Sequence, residues 1–319
     1  VSSTATGVGS HAEGNATISS GSYSHAEGRQ TLSLGTESHT EGYFTTSSGI
    51  YSHAEGTSTL ASGNASHAEG KNTISSGNTS HAEGDATIAS GESSHAEGNN
   101  TLASGIGSHA EGQYTTSSGI YSHAEGQSTV SSGSYSHVEG YNNTAESQYS
   151  HVEGYNNSII AFLDSEATHV EGQGNIIGIG NKFSHVEGQN NYLLNSAGSH
   201  IEGTFNRIEN SGGAHVEGIY NTSSLSPYSH VEGKGNIASG SYQHIQGYYN
   251  TKEVVNEPDV LMVVGNGTDN NNRSDLFILR TTSATISGSV IIDLASLPQT
   301  NPTNPGQLYR DGGFLMISL

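Results

Sequence analysis

Ser24-His25-Ala26-Glu27-Gly28 brings a hydroxyl, an imidazole and a carboxylate together within five consecutive residues. Those groups could serve as a nucleophile with its base, as a transition-metal site, or as a hydrogen-bonded polar network. The unit recurs with small changes, and all 17 histidines belong to it, from His11 to His244. From His11 to His151 the spacing is 14 residues, ten times running; it then becomes 18, 16, 15, 15, 15 and 14. A Ser-His-Glu hydrolase fails on geometry. Adjacent residues of a strand point to opposite faces, and a triad is defined by roles in space rather than by neighbouring letters. Imidazole and carboxylate are legitimate ligands for zinc or nickel, but His-x-Glu on a strand is a weak motif beside a helical zinc signature.

The preferred expectation is structural: a ladder in which each Glu accepts from its His, with Thr or Asn and backbone groups taking the remaining bonds. Its members are His11 and Glu13, His25 and Glu27, His39 and Glu41, His53 and Glu55, His67 and Glu69, His81 and Glu83, His95 and Glu97, His109 and Glu111, His123 and Glu125, and His137 and Glu139. No catalytic residue, metal or cofactor is expected. Stacked carboxylates repel, so proton sharing or His⁺–Glu⁻ alternation must offset the repulsion, and the groups should titrate together. Acid below the carboxylate range should then loosen the structure.

The elements that position this ladder follow from the period. Counting from each histidine as position 0, position +3 is Gly, +4 and +5 vary freely, +6 is Thr in early units and Asn in most later ones, and +10 is Gly in the regular units. Strand, turn, strand and turn within 14 residues leave no room for a helical crossover. A repeat this short cannot bury its own face alone, so the expected fold is an all-β parallel β-solenoid (a β-roll), each coil stacked on the last. Period-2 alternation puts positions 0 and +2 on one face and +1 on the other. At position +7 the residue drifts from Ile18 and Leu32 to Tyr192 and Arg207, so +7 faces out and +6 and +8 face in. By the same logic His and Glu are assigned to the coil interior. The Ala/Val/Ile row at +1 is assigned to the outer face, where an apolar stripe needs a partner. Three copies around an axis would cover it, which predicts a homotrimer.

Along the chain, residues 1–8 read as a leading strand or link, and Val1 suggests a processed start. Residues 9–250 form the rod, regular over 9–137 and irregular over 138–250, with Asn157–Asp164 read as an outward loop. Residues 251–259 are a linker and 260–319 a small β cap, with strands at Leu261–Val264, Leu276–Arg280 and Val290–Leu294. A hairpin at Asp311-Gly312-Gly313 joins 307–310 to 314–318. Exposed aromatics at Tyr141, Tyr155, Phe162, Tyr192, Tyr220, Tyr248 and Tyr249 offer stacking surfaces for cell-surface sugars, or covers for coil edges.

Only 31% of the residues are apolar, too few for an ordinary globular core of 319 residues. The formal charge is −21 with neutral histidines, and protonating all 17 gives −21 + 17 = −4. Sixteen of the 30 acidic residues are the Glu of the repeat. Nine basic residues argue against nucleic acid and against anionic membrane surfaces. There is no Cys, and no apolar run approaches the ~20 residues that span a bilayer.

The 14-residue unit resembles the head repeat of trimeric autotransporter adhesins, the YadA-like heads. That repeat reads Ser-Val-Ala-Ile-Gly, two variable residues, then Ala-x-Ala-x-Gly. Ser24, Ala26, Gly28 and Gly35 fall on its frame, Thr31 and Ser33 stand at its two alanines, and His25 and Glu27 replace its Val and Ile. The resemblance implies a left-handed roll and a homotrimer. The Ser-His-Ala-Glu-Gly array also looks like those of phage fibre proteins. So do Val264-Gly265-Asn266-Gly267-Thr268, Asn272-Arg273-Ser274 and the closing 306–314 segment. The implied function is a structural and adhesive trimeric fibre of a virion, tail or head, meeting other virion proteins and a host glycan or receptor. A bacterial surface adhesin head is the alternative, and a tailspike-type depolymerase a further one. An anchoring barrel or coiled-coil stalk would favour the adhesin, and neither is read in this stretch.

Overall fold

The computed structural model describes residues 2–160, 166–252, 259–287, 298, 308–311 and 314–317. The chain is an all-β solenoid of stacked coils. Each coil carries two short strands, such as His25–Ala26 and Leu32–Ser33, and each strand pairs in parallel with its equivalents one coil away. Register is kept throughout the rod: His67 faces His81, Glu69 faces Glu83, and His230 faces His244. The ladder bonds run from coil to coil, as in His25 N–H to Ser38 C=O at 2.9 Å and Leu32 N–H to Thr45 C=O at 2.9 Å. Parallel coils are ~4.8 Å apart, so the 17 rungs from His11 to His244 form a rod about 80 Å long.

Three left-handed positions turn each 14-residue coil, and the 15- and 16-residue coils add a fourth, such as Asn195 or Asn210. In the coil of His25 they are Gly28 (φ 105°), Gln30 (φ 59°) and Glu37 (φ 55°). The latter two aim their N–H groups back at the preceding coil, Gln30 to Asn15 O at 2.9 Å and Glu37 to Ser22 O at 2.8 Å. The Gly at position +10 is different. Gly35 has no left-handed φ, but a Cβ there would lie 1.9 Å from Gly49 O of the next coil. Its glycine is required by close approach rather than by a turn.

The interior reverses the expected facing of the first strand. Ala26, Ala54 and Ala68 at position +1 are fully buried, as are Val138, Val152, Val170, Val186 and Ile201 later on. His67 and Glu69 stand on the outside, their side chains 35% and 34% exposed. The physical reason is room. Position +1 already meets Thr31 and Ser33, or their equivalents, across a 14-residue coil, and Ser24 and Ser38 fill the remaining corners. An imidazole cannot enter that space, and the invariance of His and Glu comes from stacking on their own kind. The second strand is as expected, with +6 and +8 buried and +7 outside.

Interior residues change size together. Early coils combine Ala, Thr and Ser or Ala. From Val138 onward they combine Val or Ile with Asn and often a large aliphatic, as in Val170, Asn175 and Ile177 or Ile201, Asn206 and Ile208. In early coils hydroxyls close the corner: Ser33 Oγ lies 2.7 Å from Ser38 Oγ, which donates to Gly35 O at 2.7 Å. In later coils the Asn amide does more. Asn191 donates to Glu187 O and Gly203 O, both at 2.9 Å, and its Oδ1 accepts from Asn206 N–H at 2.9 Å.

Both described ends are adapted. Thr4–Ala5 pairs with Ile18–Ser19 as a leading half-coil. At the other end Val260–Asn266 pairs in parallel with His244–Tyr248, setting Met262 opposite His244, buried Val263 opposite Ile245, and Gly265 opposite Gly247. It is an apolar copy of the rung. Asp275–Arg280 then pairs antiparallel with it, and Ala284–Ile286 follows. Leu308–Asp311 and Phe314–Ile317 form the antiparallel hairpin expected at Asp311. Asn157–Ile160 continue the coil, with Asn157 in the amide ladder and Ser158–Ile159 in a strand, which corrects that half of the expected loop. Residues 161–165, residues 253–258 of the expected linker and the expected strand at Val290–Leu294 lie outside the described residues.

Candidate functional site: an exposed imidazole and carboxylate ladder

The outward face of the first strand carries one imidazole and one carboxylate per coil. Because equivalent residues are in register, the imidazoles form one column. Ring centroids are 4.8 Å apart from His39 through His109, with interplanar angles of 7–10° for most pairs and 28° at His81–His95. The terminal pairs depart from this, with His11 edge-on to His25 at 65° and His244 tilted by 43° on His230. A Glu column runs beside it and then a Gly column. Since Gly presents no side chain, an open groove lies along Glu13, Glu27, Glu41 and Glu55.

The expected hydrogen bond from His to Glu does not form. Nε2 of every histidine from His25 to His244 is buried without a hydrogen-bond partner. The nearest carboxylate oxygen on the same strand is 3.4 Å away at His67–Glu69, 3.5 Å at His95–Glu97 and 4.0 Å at His137–Glu139. The carboxylate of the preceding coil also approaches, with Glu83 Oε1 at 3.9 Å from His95 Nε2. Two residues apart on one face of the strand, the side chains lean together to ion-pair distance without the alignment a hydrogen bond needs.

Electrostatics follow from this crowding. Burial lowers the pKa of His53, His123, His169 and His200, and the imidazoles above and below lower it further. Both effects disfavour His⁺ in these rings, against the pull of the neighbouring carboxylates. Three of the carboxylates, Glu139, Glu153 and Glu171, are joined by hydrogen bonds. A hydrogen bond to Glu153 raises the pKa of Glu139, while bonds from Glu139 and Glu171 lower that of Glu153. Burial first, and then the bond to Glu153, raises Glu171.

The aromatics do not gather into one patch. Tyr141 and Tyr155 stack at 5.0 Å on the position +4 edge. Tyr220 stacks on Phe205 at 5.0 Å one position along, and Tyr192 lies on the second strand under the Arg207 guanidinium. Tyr248 is exposed near the cap, Tyr249 lies beneath the Arg273 guanidinium, and Phe162 lies outside the described residues. A column at the opposite corner, Tyr121, Tyr135 and Tyr149, was not expected; its rings are 5.6 and 5.1 Å apart. Its signal is plain in retrospect: a Tyr two residues before the histidine in successive coils.

No protein-family model matches the chain, and no curated protein matches it. Among the described residues no helix is long and apolar enough to cross a membrane.

Proposed function

We propose that the chain is the rod of a trimeric virion fibre, tail or head, which holds a host-contacting surface away from a phage particle. The observation that carries this is the in-register stack of coils, whose interior is closed within a single chain. Such a rod supplies stiffness and reach, and repetition of one rung supplies no isolated acid–base pair, so no enzymatic role is proposed. The trimer no longer rests on an apolar stripe, because the Ala/Val/Ile row is inside the coil. It rests on the repeat frame. The Val and Ile of the resembling adhesin repeat fall on His25 and Glu27, which lie on the outer face. That face is therefore the proposed seam between copies. The stacked pairs Tyr141–Tyr155 and Phe205–Tyr220 are the proposed contacts for surface sugars.

The alternative, a bacterial adhesin head, shares this architecture. Antibody against the rod, applied to intact particles and to cells, separates the two. Labelling of particle appendages is the expected outcome, whereas labelling confined to the cell envelope would overturn the phage assignment. Sedimentation equilibrium should return three times the chain mass, and a monomer at micromolar concentration would overturn the trimer. Release of sugars from capsular polysaccharide would overturn the non-enzymatic assignment.

A further inference from the structure

Sixteen imidazole nitrogens are buried without hydrogen-bond partners, and those at rungs such as His67, His95, His123 and His215 have a carboxylate oxygen within 4.0 Å, a setting that suits a cation. A buried polar atom left without a partner is costly, and a row of them repeats that cost in every coil. The distances specify what fits. In a tetrahedral zinc site with bonds of about 2.0–2.2 Å, neighbouring donor atoms are about 3.4 Å apart. His67 Nε2 and Glu69 Oε2 are 3.4 Å apart, and His95 Nε2 and Glu97 Oε2 are 3.5 Å apart. Donor atoms of His95, Glu97 and His109 all lie within 4.8 Å of one another. Two stacked imidazoles cannot share an ion, however. Their rings are 4.8 Å apart and nearly parallel, while two metal–nitrogen bonds span at most about 4.2 Å.

We propose that the ladder is a linear array of sites for a borderline divalent metal ion such as Zn²⁺, Co²⁺ or Ni²⁺. Each ion takes one imidazole, the carboxylate of the same coil and the carboxylate of the coil before. At His95 those donors are Nε2, Glu97 Oε2 at 3.5 Å and Glu83 Oε1 at 3.9 Å. Water completes the fourth position. Glu83 Oε2 is also 3.9 Å from His81 Nε2, so one carboxylate faces two successive rungs and would bridge their ions. Imidazole nitrogen and carboxylate oxygen are both donors that these metals accept. The open groove beside the Glu column admits a hydrated ion. The array also ends where its donors end: the last rung pairs His244 with Gln246, and the next strand sets Met262 there. Each ion's protein ligands come from one chain, so the inference does not rest on the phage assignment, and where copies meet on the proposed seam the fourth position faces that seam.

The test is titration of the purified full chain with Co²⁺ and with Zn²⁺. Several ions should bind per chain, Co²⁺ giving the intense visible bands of a tetrahedral nitrogen and oxygen environment. Zn²⁺ should shield the histidines from diethylpyrocarbonate. In the double variant Glu83→Gln with Glu97→Gln, the ions at His81, His95 and His109 should be lost while those elsewhere remain. Binding of less than one Co²⁺ per chain at micromolar concentration would overturn the proposal. So would a double variant that keeps every ion. The shielding assay uses the unsubstituted chain, so absence of protection overturns the proposal even where the variant fails to fold. Molecular mass measured at each titration point reports assembly separately, and ion binding at constant mass upholds the inference.

Discussion

Gly77 shows how little room the coils leave. A Cβ there would stand 1.9 Å from Gly91 O and 2.5 Å from Gly91 C, both backbone atoms that cannot move aside without breaking the ladder. Gly84 adds a φ of 111° to a 2.1 Å clash with Gly98 O. The substitution Gly77→Ala should therefore destabilise the rod by roughly 2–4 kcal/mol. Denaturant unfolding of the variant checks this, and a midpoint unchanged from the parent chain would contradict the stacking distance. The amide ladder is the polar counterpart at this scale. Asn191 donates to two part-buried carbonyls and accepts from one buried N–H, and a buried polar group left without a partner costs about 1–3 kcal/mol.

The outward strand face is the titrating element. His53 lies between His39 and His67, with Glu41 and Glu55 the carboxylates nearest it. His123 is set the same way among His109, His137, Glu111 and Glu125. Their folded-state pKa values are below 6.5, so the unfolded chain takes up protons first as pH falls. Stability is complete above the ordinary histidine value of 6.5 and is lost as pH falls through it toward the lower folded values. Glu139 and Glu171, whose pKa values are raised from 4.5, act at lower pH and in the opposite sense, because the folded state holds their protons. The thermal midpoint should hold steady from about pH 8 to 7 and fall between about pH 6.5 and 5. A midpoint that rises or stays level across the lower interval would refute neutral stacked imidazoles. The interior location first assigned to the ladder placed this acid sensitivity in the carboxylate range; its outward position moves the onset to the histidine range.

At the scale of the molecule, coils in register behave as interchangeable layers. Stability should be close to a sum of coil and nearest-neighbour contributions. Deleting residues 53–108 removes four whole 14-residue coils and brings the coil of His39 directly beneath that of His109. The shortened chain should fold, with a maximum dimension smaller by about 19 Å in small-angle scattering. Deleting 53–101 instead, three and a half coils, sets first strand against second and should abolish the cooperative transition. Equal stability of the two deletions would contradict a register-dependent stack. The apolar rung of Val260–Asn266 and its antiparallel cover Asp275–Arg280 belong to this scale too, since they protect the last open edge from pairing with another rod.

The solenoid was legible in the chain because its period is a local property: seventeen histidines in near-constant register leave few folds open. The inward direction of Thr31 and Ser33 was legible too, since Arg207 at the intervening position excludes the alternative. The facing of the first strand was not. Alternation separates Ala26 from His25 and Glu27 but does not say which side is closed, and that depends on the volume left between the two strands. The sizes of Val170, Asn175 and Ile177 change together and carried the answer, yet only packing across the coil turns that correlation into a direction. For the same reason the unpartnered imidazole nitrogens emerge only in three dimensions: a strand fixes which residues are neighbours, while stacking fixes where their donor atoms point.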